Sequence, residues 1–140
     1  MKELYEHLAD EFLATQMELL QVPLRRQMVK LNRGEQFVLH YLFTHKRVAH
    51  PGEISRSMAV STARIAALLG TMEQKGLVTR SVDPTDNRQI IVTLLPSGIQ
   101  AIESIRNKVR KTLVDILQQL GPEDAQEYLR IQRKILSLKK

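Results

Sequence analysis

The chain has 140 residues and no cysteine, which excludes disulfides, thiol redox sensing, cysteine-based catalysis and cysteine-based zinc sites. Its apolar content of 43% is ordinary for a globular protein, and its length predicts a single domain with a real hydrophobic core. No apolar run is long enough to span a bilayer, and the N-terminus lacks the pattern of a signal peptide, so we expect a cytoplasmic protein.

The net charge of +6 is distributed unevenly along the chain. Residues 1–22 carry one lysine and five acidic residues, a net charge of −4, whereas residues 23–95 carry eleven basic and five acidic residues, a net charge of +6. Residues 96–140 carry nine basic and five acidic residues, a net charge of +4. A basic middle favours a polyanionic partner, although a solvated basic surface without a partner would give the same charge.

Two amphipathic helices are predicted in the first third of the chain. Residues 3–20 have apolar side chains at helical spacing, and a proline follows shortly after them. The second helix is predicted from Asn32 to about Lys46, with Asn32 as its N-cap and Glu35 completing a capping box. Residues 47–50 are predicted to form a short extended segment.

The next two predicted helices are separated by a short turn. The first covers residues 51–58, with a proline at its first position, where the missing N–H costs nothing. Ser61 or Thr62 caps the second, which runs to Lys75 and is ended by Gly76. Its apolar residues follow an i, i+3, i+4, i+7 spacing that places them on one face: Ile65, Leu68, Leu69 and Met72. Two short helices joined in this way are typical of a helix-turn-helix.

A β-hairpin is predicted directly after these helices. Its strands cover about Leu77–Val82 and Gln89–Leu95, and the second is rich in β-branched residues. The polar loop between them contains Asp86 and ends in Arg88. A helix-turn-helix followed by a hairpin with an arginine near its tip is the outline of a winged helix-turn-helix.

Two long amphipathic helices are predicted in the last third of the chain, from Pro96 to about Leu120 and from Pro122 to about Leu138. Their apolar stripes, together with that of the first helix, are too extensive for the unit at residues 31–95 to cover. Two copies of the chain that pack these helices together would cover them.

The predicted fold class is therefore mainly α with a small β-hairpin wing: a winged helix-turn-helix with long terminal dimerisation helices. Within one structural domain, residues 1–30 are predicted to form an N-terminal dimerisation helix. Residues 31–95 are the predicted DNA-binding region, and residues 96–140 the predicted C-terminal dimerisation helices.

The second helix of a helix-turn-helix enters the major groove of DNA, and the outward face of this predicted helix suits that position. It carries small side chains and one long donor, an arginine that could bond a guanine edge or hold a phosphate. The residues predicted to face DNA from this helix are Ser61, Thr62, Ala63, Arg64 and Ala67. The alternative is an ordinary surface helix with a good N-cap.

Arg88 is predicted to enter the minor groove from the hairpin, with Asp86 placed to hold its side chain. Arg80, on the first strand of the hairpin, is also counted among the residues predicted to contact DNA. The alternative for Asp86 and Arg88 is a surface ion pair that contributes almost nothing to stability.

Neither a metal site nor an enzyme active site is predicted. His40, His45 and His50 are not spaced as ligands on one helical face, and His7 is far from them in sequence. The sequence has no glycine-rich phosphate loop and no nucleophile elbow. We therefore expect no cofactor and no enzymatic activity.

Over nearly its whole length, and most firmly over residues 31–98, the sequence resembles the MarR family of bacterial winged-helix transcriptional regulators. The combination of a Lys-Gly-Leu-Val-x-Arg strand with an Asp-x-Arg wing is rather specific. The segments that carry the resemblance are residues 31–39, 52–54, 60–69, 72–80, 86–88 and 92–98.

The resemblance implies a homodimer that binds a pseudo-palindromic operator in double-stranded DNA. Recognition helices would lie in successive major grooves and the wing arginines, here Arg88, in the flanking minor grooves, with Asp86 as the positioning acid. Many members are repressors that release DNA on binding a small aromatic or phenolic anion. A pocket for such an effector is predicted near Met17, Phe37 and Tyr41, although plain core is the other interpretation of these residues.

Three positions depart from the family pattern. Leu95-Pro96 stands where a threonine usually caps the helix after the wing, so that this helix must begin differently. Gly70 interrupts the recognition helix, and Asn87 takes the place of a second basic residue beside the wing arginine.

The predicted function is that of a sequence-specific DNA-binding transcriptional regulator, a ligand-responsive repressor that acts as a homodimer. Two other functions fit the same pattern. A winged-helix protein-interaction module would tolerate the loss of Arg64 and Arg88, and a non-specific DNA-binding protein would discriminate little between sequences.

Overall fold

The computed structural model describes residues 1–138, in which it contains seven α-helices and three β-strands. The helices are α1 (Lys2–Leu19), α2 (Pro23–Leu31), α3 (Gly34–Thr44), α4 (Pro51–Met58), α5 (Thr62–Gln74), α6 (Pro96–Leu120) and α7 (Pro122–Ser137). The strands are β1 (Val48–Ala49), β2 (Val78–Asp83) and β3 (Asp86–Leu94). The predicted fold class, mainly helical with a small wing, is confirmed. Residues 139–140 of the predicted region 96–140 lie outside the described residues.

The segment between α1 and α3 differs from the prediction. Residues 23–31, for which no helix was predicted, form α2, whose first position is occupied by Pro23. Asn32 ends α2 instead of capping α3, which begins at Gly34 without a side-chain cap. The predicted capping box is therefore wrong, and Glu35 instead accepts a 2.8 Å hydrogen bond from Lys75 Nζ at the end of α5.

The hairpin is longer and tighter than predicted. Strands β2 and β3 are antiparallel, and the two residues Pro84 and Thr85 form the turn between them. The short segment β1 pairs with β3, which gives the strand order β1-β3-β2. Asp86 and Arg88 therefore lie at the start of β3 and not in a free loop: Asp86 pairs with Asp83, and Arg88 follows in the irregular part of the ladder.

The hydrophobic core lies where the helix-turn-helix, the sheet and the first turns of α6 meet. Three of the four predicted apolar residues of α5 are 1% exposed or less, and Leu68 is partly buried. All the elements of residues 31–95 contribute to this core, and α6 adds one fully buried residue. The largest fully buried side chains are Val38, Leu42, Ile54, Ile65, Leu69, Met72, Val78, Val92 and Ile102.

The terminal helices leave a large apolar surface uncovered. No residue of α1 is buried, and none of α7 as far as Ser137. Phe12 is 63% exposed in α1 and Leu136 is 65% exposed in α7. An apolar surface of this extent on a water-exposed face marks a contact site. No helix within residues 1–138 has both the length and the apolar character that crossing a membrane requires.

Candidate nucleic-acid interface

The N-terminal turn of α5 projects into solvent on the side opposite the core. Ser61 is the N-cap residue, and its Oγ accepts a 3.1 Å hydrogen bond from the backbone N–H of Arg64. All five residues that were predicted to face DNA from this helix are exposed: Ser61, Thr62, Ala63, Arg64 and Ala67. The free N–H groups and the positive end of the helix dipole favour an anion at such a terminus.

The turn before α5 is set by backbone geometry. Ala59 ends α4 in the left-handed conformation, with φ of 55°, and the N–H of Val60 donates to the carbonyl of Ser55 at 3.1 Å. Ser55 and Ile54 are both buried. Because α4 is anchored through these residues, the direction of α5 is fixed relative to the core.

Arg88 is the most exposed of the predicted wing residues. Its side chain is 92% exposed, and its Nε lies 3.4 Å from Asp86 Oδ1. The same carboxylate oxygen accepts a 3.1 Å hydrogen bond from the backbone N–H of Arg88. Asp86 Oδ2 also accepts from Gln89 Nε2 at 3.3 Å. Asp86 thus bonds both the backbone and the side chain of Arg88 at the start of β3, and the guanidinium remains accessible to solvent.

Arg80 has different surroundings. Its Nε and Nη2 donate to Glu73 Oε1 at 3.2 and 3.0 Å, and its backbone N–H donates to Glu73 Oε2 at 2.9 Å. The backbone N–H of Arg80, followed by its guanidinium, lowers the pKa of the Glu73 carboxyl. These bonds tie β2 to the last turn of α5. A DNA contact by Arg80 stays a prediction, since its guanidinium already serves the contact between these two elements.

A cluster at the wing tip was not predicted. Asp83 is 8% exposed, and its Oδ2 lies 2.7 Å from His50 Nε2. The other ring nitrogen of His50, Nδ1, lies 2.9 Å from Glu53 Oε1. Thr85 donates its backbone N–H and its hydroxyl to the other oxygen of Asp83 at 2.9 and 2.8 Å. The Asp-Pro-Thr sequence is a signal for this turn, because aspartate commonly bonds the backbone two residues on. The partnership with His50 has no local signal.

The residues of the predicted effector pocket differ in their exposure. The rings of Phe37 and Tyr41 stack with centroids 6.1 Å apart, and both side chains pack against the core. Met17 is 74% exposed on α1. The pocket stays a prediction that requires further residues to enclose it.

Two of the other three histidines, His40 and His45, pack against residues of the folded core region. His40 Nε2 lies 2.6 Å from Arg106 Nη1, and burial, followed by the charge of Arg106, lowers the pKa of His40. The ring of His45 stacks on Tyr41 with centroids 3.8 Å apart. Within residues 1–138, no group of three or more histidine, aspartate or glutamate residues is arranged to hold a metal ion.

Sequence comparison finds a family model that matches this winged helix-turn-helix. The MarR family model matches residues 31–90. The uncharacterized HTH-type transcriptional regulator YsmB of Bacillus subtilis is 30% identical over 73 residues, which are 52% of this chain and 50% of that protein. The chain spans about half the length of the curated relatives it matches.

Solved structures show the same fold over nearly the whole chain. A MarR family protein from Bacillus stearothermophilus is 23% identical, with a TM-score of 0.76, and the match covers 98% of this chain and 96% of that one. NadR, solved in complex with 4-hydroxyphenylacetate, is 19% identical, with a TM-score of 0.64 and coverage of 92% and 89%. The chain thus has the winged-helix fold of these solved structures. Residues 31–90 therefore resemble the winged helix-turn-helix of the MarR family, whose members are transcription regulators and not enzymes.

Proposed function

We propose that the chain is a sequence-specific, double-stranded DNA-binding transcriptional regulator that acts in the cytoplasm as a homodimeric, ligand-responsive repressor. In this proposal residues 31–95 bind DNA, and residues 1–30 and 96–140 form the dimer. The observation that carries it is the exposed N-terminal face of α5 on the same rigid unit as the 92% exposed Arg88 side chain.

The shape of α5 suits a major groove. Ala63 and Ala67 have small side chains, so that the helix axis can come close to the base edges. Arg64 is long and exposed, and it can donate two parallel hydrogen bonds to a guanine or hold a phosphate. The Ser61-capped N-terminus lies on the same side, where a backbone phosphate would meet the free N–H groups of the first turn.

The wing suits the adjacent minor groove. A narrow two-residue turn joins β2 and β3, and the Arg88 guanidinium extends from the start of β3 with little shielding. A minor groove with a strongly negative potential attracts such a group. The net charge of +6 over residues 23–95 supports binding to the phosphate backbone around both contacts.

Dimerisation follows from the apolar surface of α1 and α7. A pseudo-palindromic operator is read by two copies whose recognition helices are about 34–36 Å apart. Packing of the terminal helices of two chains would bury side chains that are exposed in one chain, such as Phe12 and Leu136. It would also set the distance between the two recognition helices.

An effector would act by changing this distance. The stacked pair Phe37 and Tyr41 lies on α3, and Arg106 of α6 brings a positive charge to His40 beside it. Such surroundings suit a small aromatic anion, the kind of ligand present in the NadR structure. The ligand would weaken repression only if it bound more tightly to the dimer with the wrong spacing.

The proposal is tested by fluorescence anisotropy of the full chain on its own upstream promoter DNA and on scrambled DNA of the same length, over a series of salt concentrations. We expect binding to the promoter at least about 10³-fold tighter than to the scrambled sequence, weakening steeply as salt rises. Equal and weak binding to both sequences would contradict an operator-reading function for this promoter.

Arg88→Ala is expected to weaken specific binding by about tenfold or more, because one wing contact is lost from each half of the operator. Thermal stability should stay unchanged, since the side chain is 92% exposed. Arg110→Ala, which removes an equally charged exposed side chain from α6, is the matched control. Equal affinities of the two variants would mean that the Arg88 side chain makes no contact on which specific DNA binding depends.

A further inference from the structure

His50 connects the helix-turn-helix to the tip of the wing. It is the N-cap residue of α4, and its Nε2 lies 2.7 Å from Oδ2 of Asp83, a residue 33 positions further along the chain. Its Nδ1 lies 2.9 Å from Glu53 Oε1. Both ring nitrogens therefore face carboxylate oxygens, which accept hydrogen bonds but cannot donate them while ionised. The arrangement is complete only when the imidazole carries both protons.

Asp83 in turn holds the wing turn. The oxygen that does not face His50 accepts the backbone N–H and the hydroxyl of Thr85, which is one of the two residues at the tip. Asp83 also lies at the irregularity in the pairing of β2 with β3, where backbone pairing alone defines the wing less well. One nearly buried carboxylate thus joins α4 to the end of the hairpin that carries Arg88.

We propose that the pair His50 and Asp83, here called the wing latch, positions the wing relative to the helix-turn-helix, and that specific DNA affinity falls as pH rises and His50 loses its proton. This inference rests on the proposed DNA-binding function. The latch acts on DNA only indirectly: it holds the Arg88 end of the hairpin at a fixed place relative to α4, and α4 packs on α5. Both residues are therefore positioning residues.

The direction of the pH effect follows from the charged groups around His50. Hydrogen bonds to Asp83 of β2 and then to Glu53 of α4 raise the pKa of His50 above its ordinary value of 6.5. The bond to His50, followed by those from Thr85, lowers the pKa of Asp83 from 3.8 to about 2. The hydrogen bond to His50 lowers the pKa of Glu53, and the charge of Arg56, further along α4, adds to this lowering.

These shifts define the pH range in which the latch is complete. The contribution of protonated His50 is fully present below pH 6.5 and is lost as the pH rises through its raised pKa. The contribution of ionised Asp83 is present above pH 3.8 and is lost as the pH falls towards 2. A neutral imidazole can donate only one N–H, so one of the two carboxylates then faces a lone pair.

The latch itself is tested in the free protein, without DNA. In an NMR titration of the full chain, the pKa of His50 should lie above its ordinary value and return towards it in Asp83→Asn. Hydrogen exchange at the Thr85 amide should be better protected at low pH than at high pH, after correction for the intrinsic rate. A His50 pKa that is unchanged by Asp83→Asn would overturn the proposal.

The consequence for DNA is tested by anisotropy on the promoter DNA from about pH 5.5 to about pH 8.5. Over this range the affinity of the wild type should fall, and this fall should be about tenfold larger than the fall seen for His50→Gln. A tenfold difference is the size of effect expected from one charge-assisted hydrogen bond. His45→Gln removes another histidine, one that is exposed, and should behave as the wild type does. Circular dichroism checks that each variant is folded, and Asp83→Asn replaces His50→Gln if the latter is not.

The outcomes separate the latch from the proposed function. Specific binding with the same pH dependence in the wild type and in His50→Gln would overturn the latch and leave the DNA-binding function standing. No specific binding by the wild type at any pH would overturn the function, and with it the effect on DNA. The His50 titration would still decide whether the latch exists in the free protein.

Discussion

Replacement of Gly98 by alanine is expected to lower the free energy of unfolding by about 3 kcal/mol, near the upper end of what overpacking a core costs. Gly98 is buried in the first turn of α6, where this helix passes over the start of β2. A Cβ atom there would collide with the carbonyl oxygen of Leu77 and lie 2.6 Å from Leu94 Cδ1. The Leu77 carbonyl cannot move away freely, because it accepts a 2.9 Å hydrogen bond from Leu95 N–H.

Gly70→Ala is the matched control for this prediction. Gly70 lies inside α5, and an added Cβ would meet Arg80 Nη2 at an ordinary van der Waals distance of 3.8 Å. The control should raise the free energy of unfolding by about 0.5–1 kcal/mol, because alanine loses less backbone entropy in a helix than glycine does. Urea denaturation at one fixed protein concentration measures both effects. A Gly98→Ala protein as stable as the wild type would mean that α6 can move away from β2 at little cost.

Phe12→Glu is expected to convert the proposed homodimer into a monomer and to weaken operator binding by about 100-fold or more, because a monomer loses the second half-site contact. Phe12 is 63% exposed in the single chain and lies on the apolar stripe of α1. In a dimer that buries this stripe, a carboxylate at this position would be desolvated without a partner. Light scattering coupled to gel filtration measures the mass, and anisotropy on the operator measures the affinity.

Ala14→Glu controls for the added negative charge. Ala14 is exposed on the polar side of α1, away from the apolar stripe, so a carboxylate there stays in water and this variant should keep the mass and affinity of the wild type. A Phe12→Glu protein that remained a dimer would show that α1 lies outside the interface. A dimer that no longer bound the operator would separate assembly from DNA binding.

The periodic spacing of apolar residues was enough to predict most of the helices and strands. The spacing of Ile65, Leu69 and Met72 defines both α5 and its buried face, since one face of a helix repeats every three or four residues and packs on the core. The same periodicity leaves Arg64 on the outer face. Arg88 was found because glycine ends α5 and an Asp-x-Arg follows between two β-rich runs.

Helix α2 was missed although Leu24, Met28 and Leu31 follow a helical i, i+4, i+7 spacing. Pro23 was interpreted only as the residue that follows the first helix, whereas it occupies the first position of α2. The capping box at Asn32 and Glu35 was wrong because α2 was not recognised. Asn32 was then the nearest residue suited to begin a helix, whereas it ends α2. A capping residue suits either role until the neighbouring helix is known.

The spacing of apolar residues and the local sequence motifs were thus sufficient to predict the winged helix-turn-helix, the exposed face of α5 and the place of Arg88 in the hairpin. Only the tertiary structure decided the contacts between residues distant in sequence: the meeting of His50 with Asp83, the engagement of Arg80 by Glu73 and the close approach of α6 to β2 at Gly98. The physical reason is that periodicity records which side of an element is buried. The partner of each polar side chain, and the space left for each glycine, depend on how the elements lie against one another.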